Sequence, residues 1–265
     1  MSRPRREPGG LRAALARRDR IVGTFLTIAE PALAEMLAGA FDLLVIDLEH
    51  AALSAGDAMR LAIAAQGAGA WIAARVPSAH SDVVAQVLDA GLDGVIVAKI
   101  NDGAEAAAAA SALTYPPHGS RGFGPRRANG YGRGSDYHQT ARERIACITQ
   151  IETAAGLSSV VDIAGTPGVD GLLIGPSDLS FDLGVPLRTF APVMLDAIGA
   201  TLTAADQAGI SCAFAGNVAA DRLPALLDRR CNVLLQSTDL RMYLAAADAT
   251  AQATRDGLEA LAAQA

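Results

Sequence analysis

Asp47, Glu49 and His50, three side chains that ionise or bind metals, follow directly on the apolar run Leu43-Leu44-Val45-Ile46. A short continuous apolar run of this kind is the pattern of a strand buried on both faces. Burying a carboxylate without a partner is costly, so the trio belongs at an open strand end. Two chemistries fit the residue types: a metal cluster, or an acid–base site in which the imidazole titrates near neutrality. The plain alternative is a set of solvated loop charges.

Further along, other polar groups follow apolar runs in the same way. Arg75 stands before Val76-Pro77, where a proline turn fixes it and its guanidinium can hold a carboxylate or a developing oxyanion. Lys99 is the single lysine of the chain. Gln150 and Glu152 share one face of their strand by period-two alternation. Asp178 ends Gly175-Pro176-Ser177-Asp178, whose turn offers backbone N–H groups to an anion. Glu152 and Asp178, on adjacent strand ends, repel each other unless one is protonated or a cation lies between them. An all-oxygen set with open positions suits Mg²⁺ or Mn²⁺ rather than structural zinc. The alternative for Glu152 is an ion pair with Arg75. His80, His118 and His138 have no carboxylates grouped beside them and read as surface residues.

These groups need a scaffold that brings strand ends together. Apolar β-rich runs at 21–26, 43–48, 70–76, 94–100, 145–151, 171–174, 210–214 and 233–236 alternate with helical segments. The helices are predicted at 31–37, 55–66, 81–90, 103–113, 154–163, 192–208, 219–229 and 240–261. Pro31 suits a helix start, Ser78 and Asp102 suit N-caps, and Gly67, Gly91 and Gly209 suit helix ends. Eight alternations with short connections predict an α/β fold, one (β/α)8 TIM barrel over 1–265. A doubly wound open sheet is the alternative, but no Gly-x-Gly-x-x-Gly follows the first strand. In a barrel the chemistry gathers at the C-terminal strand ends, where all the groups above fall. Asp42, Asp93 and Asp170 read as residues that cap or solvate strand entries. One connection, 114–144, is too long for an ordinary loop and is expected to be functional or a lid. Residues 1–10 read as a solvated tail, and the helix in 240–265 as a candidate oligomer contact.

Composition narrows the function. Of 265 residues, 51% are hydrophobic and 19% charged, which excludes a disordered chain. The net charge of −6, without a basic stretch interleaved with aromatics, argues against nucleic acid as a partner. No apolar run is long enough to span a membrane, and no hydrophobic signal core follows the Arg-rich start, so a cytoplasmic protein is expected. Cys147, Cys212 and Cys231 have no metal-like spacing and are expected to be free thiols.

The ordered series Gly23-Thr24-Phe25-Leu26, Asp47-Leu48-Glu49-His50-Ala51, Arg75-Val76-Pro77 and Leu88-Asp89-Ala90-Gly91 continues through Tyr115-Pro116-Pro117-His118-Gly119-Ser120-Arg121-Gly122. It goes on with Gln150-Ile151-Glu152-Thr153, Gly168-Val169-Asp170-Gly171 and Ile174-Gly175-Pro176-Ser177-Asp178-Leu179-Ser180. Over 21–247 the chain thereby resembles the HpcH/HpaI family of metal-dependent pyruvate aldolases, which includes 4-hydroxy-2-oxoheptanedioate aldolase. The resemblance implies a barrel of the phosphoenolpyruvate/pyruvate type, usually hexameric with an exchanged C-terminal helix. It implies a divalent cation (Mg²⁺, Mn²⁺ or Co²⁺) on Glu152 and Asp178, with Gln150 close to the metal. Backbone N–H groups of Ser177 and Asp178 would hold the carboxylate of a 2-oxo acid, and Arg75 its ketone oxygen. His50 and Asp47 would form the acid–base dyad, Glu49 would orient a metal-bound water, and Asp89 would be a further acid near the site, one that a neighbouring subunit could supply. The implied reaction is the reversible cleavage of 4-hydroxy-2-oxo acids to pyruvate and an aldehyde. Its rivals are a Schiff-base aldolase, for which only Lys99 could form the imine, a lyase of malyl- or citramalyl-CoA type, and an inactive 2-oxo-acid-binding barrel. The chain departs from the family pattern at Lys99, at Phe25 in place of Trp, and at Arg229-Arg230-Cys231-Asn232. In the long connection, Arg121, Phe123, Arg126, Arg127 and Tyr131 are candidates for reading the aldehyde, with loop–barrel packing as the alternative.

Overall fold

In a computed structural model, which describes residues 10–226 and 230–263, eight parallel strands close into a barrel in chain order. The strands are β1 Ile21–Leu26, β2 Leu43–Asp47, β3 Trp71–Val76, β4 Gly94–Val97, β5 Ala146–Ile151, β6 Gly171–Ile174, β7 Ser211–Gly216 and β8 Val233–Thr238. The helices are α1 Gly10–Ala16, α2 Pro31–Ala38, α3 Ala55–Gly67, α4 Val83–Asp89, α5 Gly103–Ala112, α6 Tyr137–Arg144, α7 Ala154–Ser158, α8 Val160–Ala164, α9 Pro176–Asp182, α10 Pro192–Ala208, α11 Leu223–Leu226 and α12 Asp239–Ala262. The expected barrel is thus the observed one. The predicted solvated tail falls mostly on 1–9, outside the described residues. No helix of the described residues is long and apolar enough to cross a membrane.

Period-two alternation divides the core into two layers. Outward-facing residues such as Leu44, Ile46, Ile72, Ala74 and Leu172 pack against the helices. Inward-facing residues such as Leu43, Val45, Trp71, Ala73, Ile96, Ile148 and Leu173 fill the barrel with Leu11, Ala14 and Leu15 of α1. The first helix, which the sequence reading did not anticipate, therefore plugs the strand-start end. The same inward rows continue upward from Leu43 and Val45 to Asp47, from Trp71 and Ala73 to Arg75, and from Ile148 to Gln150.

The barrel repeats one device at the entry of every second strand. Val22, Ile72 and Cys147 each donate their N–H to the carboxylate of Asp42, Asp93 and Asp170, at 3.0, 3.0 and 2.9 Å. Cys212 donates likewise to Asn232 Oδ1 at 3.1 Å. In return the backbone N–H of each of these four polar residues donates to the carbonyl of the residue it caps. The capped N–H is that of the second residue of each odd-numbered strand, while the first, of Ile21, Trp71, Ala146 or Ser211, donates to the backbone carbonyl of Asn232, Asp42, Asp93 or Asp170, so both N–H groups at the strand entry have partners. The strand-entry aspartates are structural, as expected, and Asn232 completes the set.

The remaining punctuation follows local chemistry. Ser54 and Asp57 form a capping box before α3, and the Asp102 carboxylate caps α5. Asp82, rather than Ser78, precedes α4, and Gly69, rather than Gly67, takes the left-handed conformation after α3. Cys147, Cys212 and Cys231 are thiols rather than disulfide partners, the first two buried.

Candidate active site

At the C-terminal mouth a cleft of about 160 Å³ is lined by Phe25, Asp47, Arg75, Gln150, Gly175, Ser177, Asp178, Asn217, Ser237, Thr238 and Arg241, among others. Register sets the central pair: Asp47 of β2 lies beside Arg75 of β3. Arg75 Nε donates to Asp47 Oδ1 at 3.0 Å and Nη2 to Oδ2 at 2.7 Å, with both side chains largely buried. Its guanidinium stacks on the Phe25 ring, 4.7 Å from the centroid. Burial acts to raise the Asp47 pKa, but the Arg75 hydrogen bond and charge, with the N–H groups of His50 and Glu49, outweigh it and hold the carboxyl below its usual value.

That arrangement corrects the expected Asp47–His50 dyad and removes the alternative ion pair of Glu152 with Arg75. Asp47 is taken up by Arg75 and by the backbone N–H groups of Glu49 and His50, so it does not pair with the His50 ring. The carboxylate nearest that ring is Glu49, with His50 Nε2 3.6 Å from Oε2. Arg75 pairs with Asp47 rather than with Glu152. A bidentate fork plus two N–H donors fills the Asp47 acceptor positions and leaves the half-exposed imidazole to its chain neighbour.

Glu152, buried just beyond β5, receives the Lys99 N–H on Oε1 at 2.8 Å and the Gln150 amide on Oε2. Its pKa is raised, first by burial and also by the negative charges of Glu49 and Asp178, against the lowering effect of its hydrogen bonds. The Glu152, Glu49 and Asp178 carboxylates are therefore near enough to repel. Glu49 is itself buried, and neither of its oxygens has a hydrogen-bond partner; nor has Gln150 Oε1. All three atoms are acceptors. Arg75, Lys99 and His50 lie 3.5–3.6 Å from Glu49 without hydrogen-bonding it, so this cluster of buried acceptors and mutually repelling carboxylates has open positions that a hard, oxygen-loving divalent cation and its waters fit. Among the described residues no three His, Cys, Asp or Glu side chains are poised together as ligands. Two carboxylates with open positions are what the sequence pattern implied.

Gly175 makes room for this cluster. A Cβ there would stand 2.9 Å from Gln150 Nε2 and 3.1 Å from Glu152 Oε2. Ser177 and Asp178 follow in the first turn of α9, with Pro176 setting the helix start.

Asp89 is not part of the cleft in this chain. It ends α4, on the return toward the strand-start face, and pairs with Arg121 at 2.8 Å. The long connection lies at that same face because it follows α5. Arg121 is fully buried between Tyr115 and Tyr137, at 4.5 and 5.7 Å from the ring centroids, and Arg127 Nη1 donates to the Ala90 carbonyl. Packing rather than aldehyde reading accounts for these two arginines, and α6 adds a helix within the segment. Burial pushes the Tyr115 hydroxyl up to about 12.

Four polar residues of the cleft were missed: Asn217 beyond β7, and Ser237, Thr238 and Arg241 at the junction of β8 and α12. The polar run Gln236-Ser237-Thr238-Asp239 carries the same apolar-to-polar signal used for the other strands. Buried Asp239 fixes this junction, accepting from Thr27 N–H at 2.8 Å, Thr27 Oγ1 at 2.6 Å and Ile28 N–H at 3.0 Å.

Comparisons with known proteins agree with this geometry. The family model for HpcH/HpaI aldolase/citrate lyase matches residues 21–228. A hydroxypyruvate/pyruvate aldolase of Paraburkholderia phytofirmans is 41% identical over 218 residues, 79% of this chain and 84% of that protein. A 4-hydroxy-2-oxovalerate aldolase of Rhodococcus jostii is 40% identical over 190 residues, 70% of this chain and 72% of its own length. The solved structure of an HpcH/HpaI aldolase/citrate lyase family protein from Burkholderia cenocepacia has a TM-score of 0.87 and 32% identity, covering 92% of this chain and 98% of that one. With its family model, its relatives and its barrel in agreement, the chain belongs to the HpcH/HpaI aldolase/citrate lyase family.

Proposed function

We propose that the protein is a class II aldolase that reversibly cleaves 4-hydroxy-2-oxo acids to pyruvate and an aldehyde. The observation that carries this reading is the buried acceptor cluster at the barrel mouth: Glu49 and Gln150 oxygens without hydrogen bonds, next to Glu152, whose pKa is raised by burial and by Glu49 and Asp178. Glu152 and Asp178 would hold a divalent cation, which when bound supplies Lewis-acid polarisation of the 2-oxo acid.

The chain's own residues do the rest. Backbone N–H groups of Ser177 and Asp178 receive the substrate carboxylate. Arg75, locked by Asp47 and Phe25, presents its remaining N–H groups to the ketone oxygen, where negative charge develops as the C3–C4 bond breaks. His50 Nε2 takes the proton from the C4 hydroxyl, the aldehyde leaves, and the same proton returns to C3 to give pyruvate. Glu49 stabilises the imidazolium between these transfers.

A panel of 4-hydroxy-2-oxo acids, with malyl-type CoA thioesters as a second arm, tests the reaction class. Pyruvate release from the oxo acids alone is the expected result. Turnover confined to the thioesters would assign the site to the CoA lyases instead.

A further inference from the structure

We propose that the Lys99 ammonium is a built-in counter-cation that competes, through Glu49, with a divalent cation for the carboxylate cluster and so sets how tightly that cation is held. The inference rests on the metal reading of the site.

Three observations converge on this one side chain. Lys99 has a positive φ of 55°, in the left-handed region that side chains other than glycine's rarely adopt. In that conformation its N–H donates to Glu152 Oε1 at 2.8 Å, while its Nζ lies 3.5 Å from Glu49 Oε1. One residue thus touches both carboxylates, one by backbone and one by charge.

Glu49 is the group that most needs a partner. Its side chain is 4% exposed and both oxygens lack hydrogen bonds. Arg75 Nε and His50 Nε2 lie 3.5 and 3.6 Å from Oε2, and Arg75 is already committed to Asp47. Among the described residues, Lys99 is the cation recorded within 4 Å of Oε1. Unlike Arg75, it is removable: its side chain is 58% exposed and can swing into solvent. With the ammonium in place, part of the negative field of Glu49 is cancelled before it reaches Glu152 and Asp178. With it removed, the whole field acts on a cation held by those two residues, and removing a unit charge at this range should tighten binding by about tenfold.

The test is Mn²⁺ titration of chelator-treated full-length protein, read by the electron paramagnetic resonance of free Mn²⁺. Lys99→Met should bind Mn²⁺ about tenfold more tightly than the wild type. Lys99→Gly, which also relieves the left-handed backbone, should match Lys99→Met, and Lys99→Arg should keep the wild-type affinity. A purely structural role of the side chain predicts equal or weaker binding, since the backbone N–H that holds Glu152 is present in every variant. Equal or weaker binding in Lys99→Met and Lys99→Gly would overturn the inference while leaving the metal reading intact. A wild type that binds no Mn²⁺ would overturn both.

Discussion

His50 sits half exposed at the mouth with its Nε2 3.6 Å from a buried carboxylate, a placement suited to carrying a proton between substrate and solvent. His50→Gln should lower kcat by about 10²–10⁴-fold, the range for losing a general acid–base group, while pyruvate binding followed by calorimetry persists. Asp47 has a different task. Breaking a buried ion pair by removing one partner costs about 3–5 kcal/mol, so Asp47→Ala should lower both stability and activity. The pH dependence has a definite sign. The Asp47 pKa in the fold lies below its ordinary value of 3.8, so its stabilisation is fully present above that pH and is lost as pH falls through the folded-state value. Melting curves of wild type and Asp47→Asn should therefore differ most near neutrality and converge as pH drops well below 3.8. The identities of Asp47, Glu49, His50, Arg75, Gln150, Glu152 and Asp178 as one group were legible from residue type and strand-end position. Which carboxylate faces the imidazole was not, because spacing along a chain does not say that β2 and β3 stand in a register that joins Asp47 to Arg75.

At the scale of elements, the strand-entry caps and the β6–α9 turn carry separate predictions. Asp93 is buried and its carboxylate takes the Ile72 N–H and the Gln66 amide, both at 3.0 Å. Asp93→Ala strands those donors and should destabilise the protein by about 1–3 kcal/mol in denaturant unfolding, without touching the cleft. Gly175→Ala places a methyl group against Gln150 and Glu152; activity should fall far more than melting temperature, because the intrusion is into the cluster. All eight strands were readable from apolar runs, within a few residues of their bounds, since strands buried on both faces leave an unambiguous pattern. Helix α1 was not, although Leu11, Ala14 and Leu15 have helical spacing, because seven residues before the first strand fell outside the β/α alternation. The predicted 154–163 helix is two short helices meeting at Ser159. The 114–144 segment, expected to be functional or a lid, packs against the end of α4 at the strand-start face; loop length signals function without saying which end of the barrel it serves.

For the whole molecule, α12 is the outstanding feature. Its 24 residues leave Leu240, Tyr243, Leu244, Leu258 and Leu261 exposed, and only Asp239 is buried. An amphipathic helix with so many bare apolar side chains is consistent with the exchanged C-terminal helix of a hexamer, which is a proposal for this chain. Leu244→Asp should then reduce the assembly's mass in light scattering. Because Arg241 and Thr238 line the cleft at the root of the same helix, activity should fall with it. Asp89, at the face opposite the cleft and paired with buried Arg121, could serve catalysis only in a neighbouring subunit, so any effect of Asp89→Asn on activity beyond its loss of stability should depend on assembly.

The central claim is that cleavage needs a divalent cation on Glu152 and Asp178 and no imine at Lys99, and pyruvate release before and after chelation tests it most directly. Activity on a 4-hydroxy-2-oxo acid should vanish after chelator treatment, return with Mg²⁺, Mn²⁺ or Co²⁺, and survive borohydride in the presence of pyruvate. Chelator-resistant activity that borohydride and pyruvate abolish would contradict it.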